Sequence, residues 1–151
     1  MPNLLIREGR AAEIMLVEDN RGDALLASRA FRQAEIDNNL TVAETAETAL
    51  SMLRREGDYA GMRLPDIILL DLNLPKMSGA ELLNIVKNDE ALRHIPVIIL
   101  SSSAAEIDIA GSYGLHANAY IVKPLNLENF TDVVRSIEQF FFMLAVLPGV
   151  D

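Results

Sequence analysis

The sequence contains no cysteine and no tryptophan, and only two histidines, His94 and His116, among 151 residues. Without thiols, a disulfide scaffold, a thiolate zinc site, an iron–sulfur cluster and a cysteine nucleophile are excluded. Two imidazoles are too few for a multi-histidine metal centre. The first ten residues carry Arg7, Glu8 and Arg10 and no apolar h-region, so no signal peptide is read there. The longest apolar runs, such as Phe140 to Val150, fall short of the roughly 18 residues a membrane span needs. The expected compartment is the cytoplasm. Positive charge is also scarce: 13 Lys and Arg against 22 Asp and Glu leave a net charge of −9. Such a chain repels phosphate backbones, so free nucleic acid is not expected as a direct partner.

What the chain does have is apolar material, 50% of its residues, enough for a sizeable core. Five short runs rich in β-branched residues stand out: Glu13–Val17, Leu40–Ala43, Asp66–Leu70, Pro96–Leu100 and Ala119–Val122. Within Ile67-Ile68-Leu69-Leu70 and Val97-Ile98-Ile99-Leu100 the apolar residues are consecutive rather than alternating. That is the pattern of a strand covered on both faces, hence of a parallel sheet between helices. Helical segments lie between the runs. They are expected over Asp23–Glu35, over Thr45–Arg55 with a stop at Glu56-Gly57, after the capping box Ser78-Gly79-Ala80-Glu81, and after a second box Ser103-Ala104-Ala105-Glu106 as far as Tyr113. A last helix runs from about Leu127 past Phe140, capped by Asn126. Five βα units in succession predict an α/β fold, an open doubly wound parallel sheet with helices on both sides. The stretch from Glu56 to Pro65 reads as an exposed excursion before the third strand.

Ligands of such sheets bind beyond the carboxyl ends of the strands. Glu18 and Asp19 follow the first run, Asp71 the third, Ser101 the fourth and Lys123 the fifth. If the first and third strands are neighbours, their three carboxylates converge and repel one another unless a divalent cation joins them. Hard oxygen donors alone select Mg²⁺ or Mn²⁺. An ammonium, a hydroxyl and a metal-binding acid cluster together suit phosphoryl transfer, and Asp71 has the chemistry of an aspartyl-phosphate nucleophile. Each of these residues taken singly is ordinary, because loops are polar and lysines reach water. Their joint occurrence at four strand ends carries the reading. Other ligands fit less well. A flavin phosphate would meet carboxylates in Glu18-Asp19-Asn20-Arg21, and the dinucleotide glycine pattern is absent there. An aspartyl-phosphate hydrolase would typically need a second acid where Asn73 stands.

From about Glu13 to Phe140 the chain resembles the receiver domain of two-component response regulators. The resemblance rests on Glu18-Asp19, the segment Asp71-Leu72-Asn73-Leu74-Pro75-Lys76-Met77-Ser78-Gly79, Ser101, Tyr120 and Lys123-Pro124. It implies a flavodoxin-like (βα)5 fold with strand order 2-1-3-4-5 in a single receiver domain spanning 1–151, with a core of about 13–140. It implies that Asp71 is the phosphoacceptor and Asp19 a direct Mg²⁺ ligand. Glu18 would be a ligand through water, and Asn73 would lend its backbone carbonyl. Ser101 would be the switch hydroxyl, Tyr120 the switch aromatic and Lys123 the phosphoryl-binding lysine. Pro124 would follow a cis peptide, and Pro75 and Gly79 would shape the loop into the next helix. Ser101 stands where threonine is commoner, and Ser102 where a small residue is usual. A narrower resemblance, to the single-domain regulators that partner bacterial phytochrome kinases, rests on the long loop Gly57 to Pro65, on Leu72 to Pro75, and on an aromatic C-terminal stretch closing in Leu147-Pro148. It implies a sensor histidine kinase, a bacteriophytochrome, as partner. With only eleven residues after Phe140, output is expected through protein contact or by passing phosphate to another histidine protein. A pseudo-receiver acting only as an interaction module is the alternative, and the intact acid and lysine set argues against it.

Residues Phe140-Phe141-Phe142-Met143-Leu144-Ala145-Val146-Leu147 are apolar all round any helix drawn through them. A last helix needs one apolar stripe, so the remainder would face water. The expectation is a homodimer in which the last helix and the extension 141–151 pack on the partner; folding of the tail back over its own domain is the alternative.

Overall fold

The computed structural model describes residues 11–102, 117, 119–123 and 126–146, with side chains through 139. The expected helix from Ser103 to Tyr113, Pro124, and the side chains of the Phe140–Leu147 stretch lie outside the described residues.

Five strands, β1 (Ala12–Val17), β2 (Asn38–Ala43), β3 (Ile67–Asp71), β4 (Val97–Ser101) and β5 (Ala119–Val122), form one sheet in the order β2-β1-β3-β4-β5. Every pairing is parallel. This is the doubly wound α/β sheet, with the strand order 2-1-3-4-5, that the resemblance implied. The consecutive apolar residues explain it. Successive side chains of a strand point to opposite faces. Ile14, Leu16, Ile67 and Leu69 therefore enter one core, and Met15, Val17, Ile68 and Leu70 the other.

Helix α1 (Arg21–Arg32) and the last helix, α4 (Leu127–Val146), cover the first face. Phe31 of α1 meets Phe130 of α4 edge to face, with ring centroids 6.0 Å apart and planes at 71°. Helices α2 (Ala46–Leu53) and α3 (Gly79–Lys87) cover the second. Each described α-helix starts on a side-chain cap. Asn20, Thr45 and Ser78 accept from the N–H of Asp23, Thr48 and Glu81, at 3.0, 3.0 and 3.1 Å, and Asn126 accepts from Asn129 N–H at 2.8 Å. The Asn20 cap starts α1 two residues before the position read from its apolar pattern. The expected stop at Glu56-Gly57 begins at Arg55, which adopts a left-handed φ of 53°. The exposed excursion before β3 is present and contains a short 3₁₀ turn, Gly57–Tyr59.

Two strands begin one residue later than the apolar runs suggest, with a local cause in each case. Asp66 still exchanges backbone contact with β1, donating its N–H to Glu13 O at 2.7 Å, while its carboxylate accepts Glu13 N–H at 2.7 Å. Pro96 has no N–H to give, and only its carbonyl takes part, accepting from Ile68 at 2.9 Å. At the other end the ladder continues through Asp71 and Ser101, which are the last residues of β3 and β4.

Candidate functional site

The sheet register brings the acids together. Val17 on β1 pairs with Leu70 on β3, so Glu18 and Asp71 are the next residues along two adjacent strands. Adjacent strands lie about 4.8 Å apart. Glu18 is pinned by its N–H to Ala43 O at 2.9 Å, and Asp71 pairs with Leu100 on its other side. Carboxylate oxygens of Glu18, Asp19 and Asp71 all lie within 4.8 Å of one another. Glu18 and Asp71 are buried, whereas Asp19 is exposed at the mouth.

Lys123 reaches this cluster from two strands away. Its backbone N–H donates to Ser101 O at 2.6 Å, which fixes the residue just beyond β5. Its ammonium lies 2.5 Å from Glu18 Oε1, 2.8 Å from Asp23 Oδ2 and 3.3 Å from Asp71 Oδ2. Burial disfavours this ammonium, but hydrogen bonds to Asp23 and Glu18 and the charges of Glu18 and Asp71 outweigh burial and hold its pKa above the ordinary lysine value. Burial pushes Glu18 up to about 7, helped by its hydrogen bond and charge contact with Asp71 and opposed by Lys123.

The loop after β3 is built around Asp71. Asn73 N–H donates to Asp71 Oδ1 at 2.9 Å, and Asn73 Nδ2 donates to Ser102 Oγ at 2.8 Å. Ser102 is exposed and serves as partner to Asn73, a role its position in the sequence does not reveal. Gly79 opens α3 against the site backbone. A Cβ there would stand 2.1 Å from Asp71 O, so the position accepts only glycine without a shift. Ser101 is fully buried at the end of β4. It pairs with Val122, and Ile99 pairs with Tyr120, so Ser101 and Tyr120 belong to the same face of the sheet. Tyr120 is 37% exposed and stands outside the carboxylate cluster.

Of the residues singled out in the sequence, the fold therefore unites Glu18, Asp19, Asp71 and Lys123, and sets Ser101 and Asn73 beside them. Asp23 joins them unannounced. It lies in the first turn of α1, where an acid is expected merely to complement the helix N-terminus, so its reach to Lys123 is not visible in sequence.

The donor set suits a hard divalent cation. Three carboxylates offer only oxygen, and two of them are buried at a distance where mutual repulsion is severe. Glu18, Asp19 and Asp71 are the side chains that would hold Mg²⁺ or Mn²⁺.

Residues 14–135 match the family model described as the response regulator receiver domain. The chain is 38% identical over 136 residues to the response regulator Rcp1 of a Synechocystis species, covering 90% of this chain and 92% of that protein. Among solved structures, the phosphorylated cyanobacterial phytochrome response regulator RcpA is 42% identical with a TM-score of 0.79, over 92% of this chain and 99% of that one. The Mn²⁺-bound form of Rcp1 is 37% identical with a TM-score of 0.77, over 91% and 99%. In the described residues no helix is long and apolar enough to cross a membrane. With residues 14–135 matched by that family model and relatives 38% and 42% identical covered along most of their length, the chain belongs to the response regulator receiver family.

Proposed function

We propose that this response regulator accepts a phosphoryl group on Asp71 from a sensor histidine kinase of the phytochrome type, with Mg²⁺ or Mn²⁺ bound beside it. The observation that carries the reading is the convergence of Glu18, Asp19 and Asp71 within 4.8 Å, with the Lys123 ammonium among them. An Asp71 carboxylate oxygen attacks phosphorus of the kinase phosphohistidine. The O–P bond forms as the P–N bond breaks, and the imidazole leaves with the electron pair. Lys123 stabilises the negative oxygens of the group in transit. The cation supplies charge neutralisation to the same oxygens; Asp19 and Asp71 would hold it directly, Glu18 through water and Asn73 through its backbone carbonyl. The protein acts as a phosphoacceptor that assists its own phosphorylation and dephosphorylation. RcpA, a relative in phosphorylated form and named for phytochrome, and Rcp1, a relative bound to Mn²⁺, support the reading.

Ser101 then moves toward the phosphoryl oxygens and Tyr120 fills the space it leaves, a shift between two packings biased by the new contacts. The buried hydroxyl and the half-exposed ring on one sheet face support this assignment. The signal passes through protein contact, in the cytoplasm, from a homodimer joined through the last helix and the extension that follows it. Incubation with acetyl phosphate and Mg²⁺, followed by intact-mass spectrometry, tests the reading. Wild type gains one phosphoryl mass, Asp71→Asn gains none, and Ser101→Ala gains it more slowly. Equal uptake by wild type and Asp71→Asn overturns the assignment.

A further inference from the structure

Lysine carries three N–H donors and no acceptor. In this protein three carboxylates occupy them: Glu18 at 2.5 Å, Asp23 at 2.8 Å and Asp71 at 3.3 Å. The bond to the proposed phosphoacceptor is the longest. Asp23 differs from its companions. It is not one of the three acids whose oxygens cluster within 4.8 Å, and it meets the site through the ammonium. It is also held in a firm frame. Its N–H is accepted by Asn20 Oδ1 at 3.0 Å, and the helix it opens is anchored by buried Ala27, Ala30 and Phe31. Lys123, 100 residues further along the chain, is fixed by its N–H to Ser101 O. The Asp23–Lys123 pair thus ties α1 to the end of β5 across the crevice.

The geometry points to Asp23 as a positioning residue that tethers Lys123 and restrains phosphoryl transfer to Asp71. This inference rests on the reading of Asp71 as phosphoacceptor. An oxygen of an arriving phosphoryl group needs an N–H of Lys123, and every N–H is taken. One of the three carboxylates must yield as the ammonium turns to the phosphoryl group, and the 2.8 Å bond to Asp23, shorter than the 3.3 Å bond to Asp71, opposes that turn. Asp23 also adds a negative charge at the entrance, which repels an anionic donor. Both effects act in one direction, so the native protein has a raised threshold for weak, small phosphodonors.

Phosphoramidate is the probe. Asp71 forms the O–P bond as the P–N bond breaks, and neutral ammonia leaves with the electron pair from the nitrogen-protonated donor. Asp23→Asn removes the charge and weakens the tether. The pair is partly exposed, so its loss is expected to lower the half-saturating phosphoramidate concentration about two- to five-fold. Asp23→Glu, which can restore the pair, returns the value toward wild type. Glu44→Gln is the charge control, since Glu44 is an exposed acid just beyond β2 at the same edge of the sheet; it leaves the value unchanged. The ¹⁵Nζ resonance of Lys123 is followed in the same proteins without donor. It shifts in Asp23→Asn and not in Glu44→Gln. An unchanged Nζ resonance and half-saturation in Asp23→Asn overturn the proposal, as does an equal effect of Glu44→Gln. If wild type takes up no phosphate, the phosphoacceptor reading fails and the restraint with it, while the Nζ shift still decides the tether.

Discussion

Gly79 and Glu18 show how single side chains are constrained by the site they surround. A methyl group at Gly79 would collide with the Asp71 carbonyl, which belongs to the β3 ladder and cannot retreat cheaply. Gly79→Ala is expected to cost about 1–3 kcal/mol of stability, measurable by urea unfolding, and to slow phosphate uptake because the strain falls on Asp71. Glu18 gives a pH dependence. Its folded pKa, about 7, lies above its ordinary value of 4.5. Between those two values the folded state holds a proton that the unfolded state has lost. Glu18's contribution therefore makes the metal-free protein less stable as pH rises from about 4.5 to about 7, with no further change above. A divalent cation requires Glu18 ionised, so the gain in melting temperature from added Mg²⁺ is expected to be larger at pH 8 than at pH 5.5. Thermal unfolding at both values, with and without Mg²⁺, checks it; an equal gain at the two would contradict the role given to Glu18.

Helix α2 ends on a left-handed residue that is not glycine. Arg55, at φ 53°, donates its N–H to Met52 O at 3.0 Å, and Glu56 donates to Ser51 O at 3.0 Å, the paired closing bonds of a Schellman turn. An exposed arginine strained in this region gains from replacement by glycine, less the extra freedom glycine has when unfolded. Arg55→Gly is expected to stabilise by up to about 1 kcal/mol, read as a higher urea midpoint. The expected stop at Glu56-Gly57 follows glycine preference, whereas the helix closes on Arg55, two residues before the left-handed Gly57. Strands β1, β3 and β4 were legible because burial on both faces writes itself as unbroken apolar runs, and helix starts were legible wherever a cap stands in front of an apolar pattern, as at Ser78. Contacts between acids on helices and distant backbone were not. Glu138 on α4 accepts the N–H groups of Glu35 and Ile36 at 2.7 and 3.0 Å and is buried, yet in sequence it is one more acid on a helix. Asp23, whose carboxylate reaches the Lys123 ammonium, is equally hidden in the sequence.

Among the described residues, two helices on each face and a sheet whose carboxyl edge gathers acids from β1 and β3 and a lysine from β5 make the frame that assembles the site. The residues of that site were legible because they stand at the ends of the apolar runs, while the strand order that brings those ends together was implied only by the family resemblance. The backbone of α4 continues as helix to Val146, carrying the apolar stretch that underlies the proposed dimer. Removing residues 140–151 is expected to turn a dimer into a monomer or an aggregate in light scattering; a full-length protein that is monomeric at tens of micromolar, with and without phosphate, would remove the basis for it. The central claim is the chemistry at Asp71, and borohydride trapping reads it most directly. Reduction of an aspartyl phosphate leaves homoserine at the modified position. After incubation with acetyl phosphate and Mg²⁺, peptide mass spectrometry is expected to find homoserine at position 71 and nowhere else, and none when the metal is chelated. Homoserine at position 19 or 23, or none at all in the presence of Mg²⁺, would contradict the account.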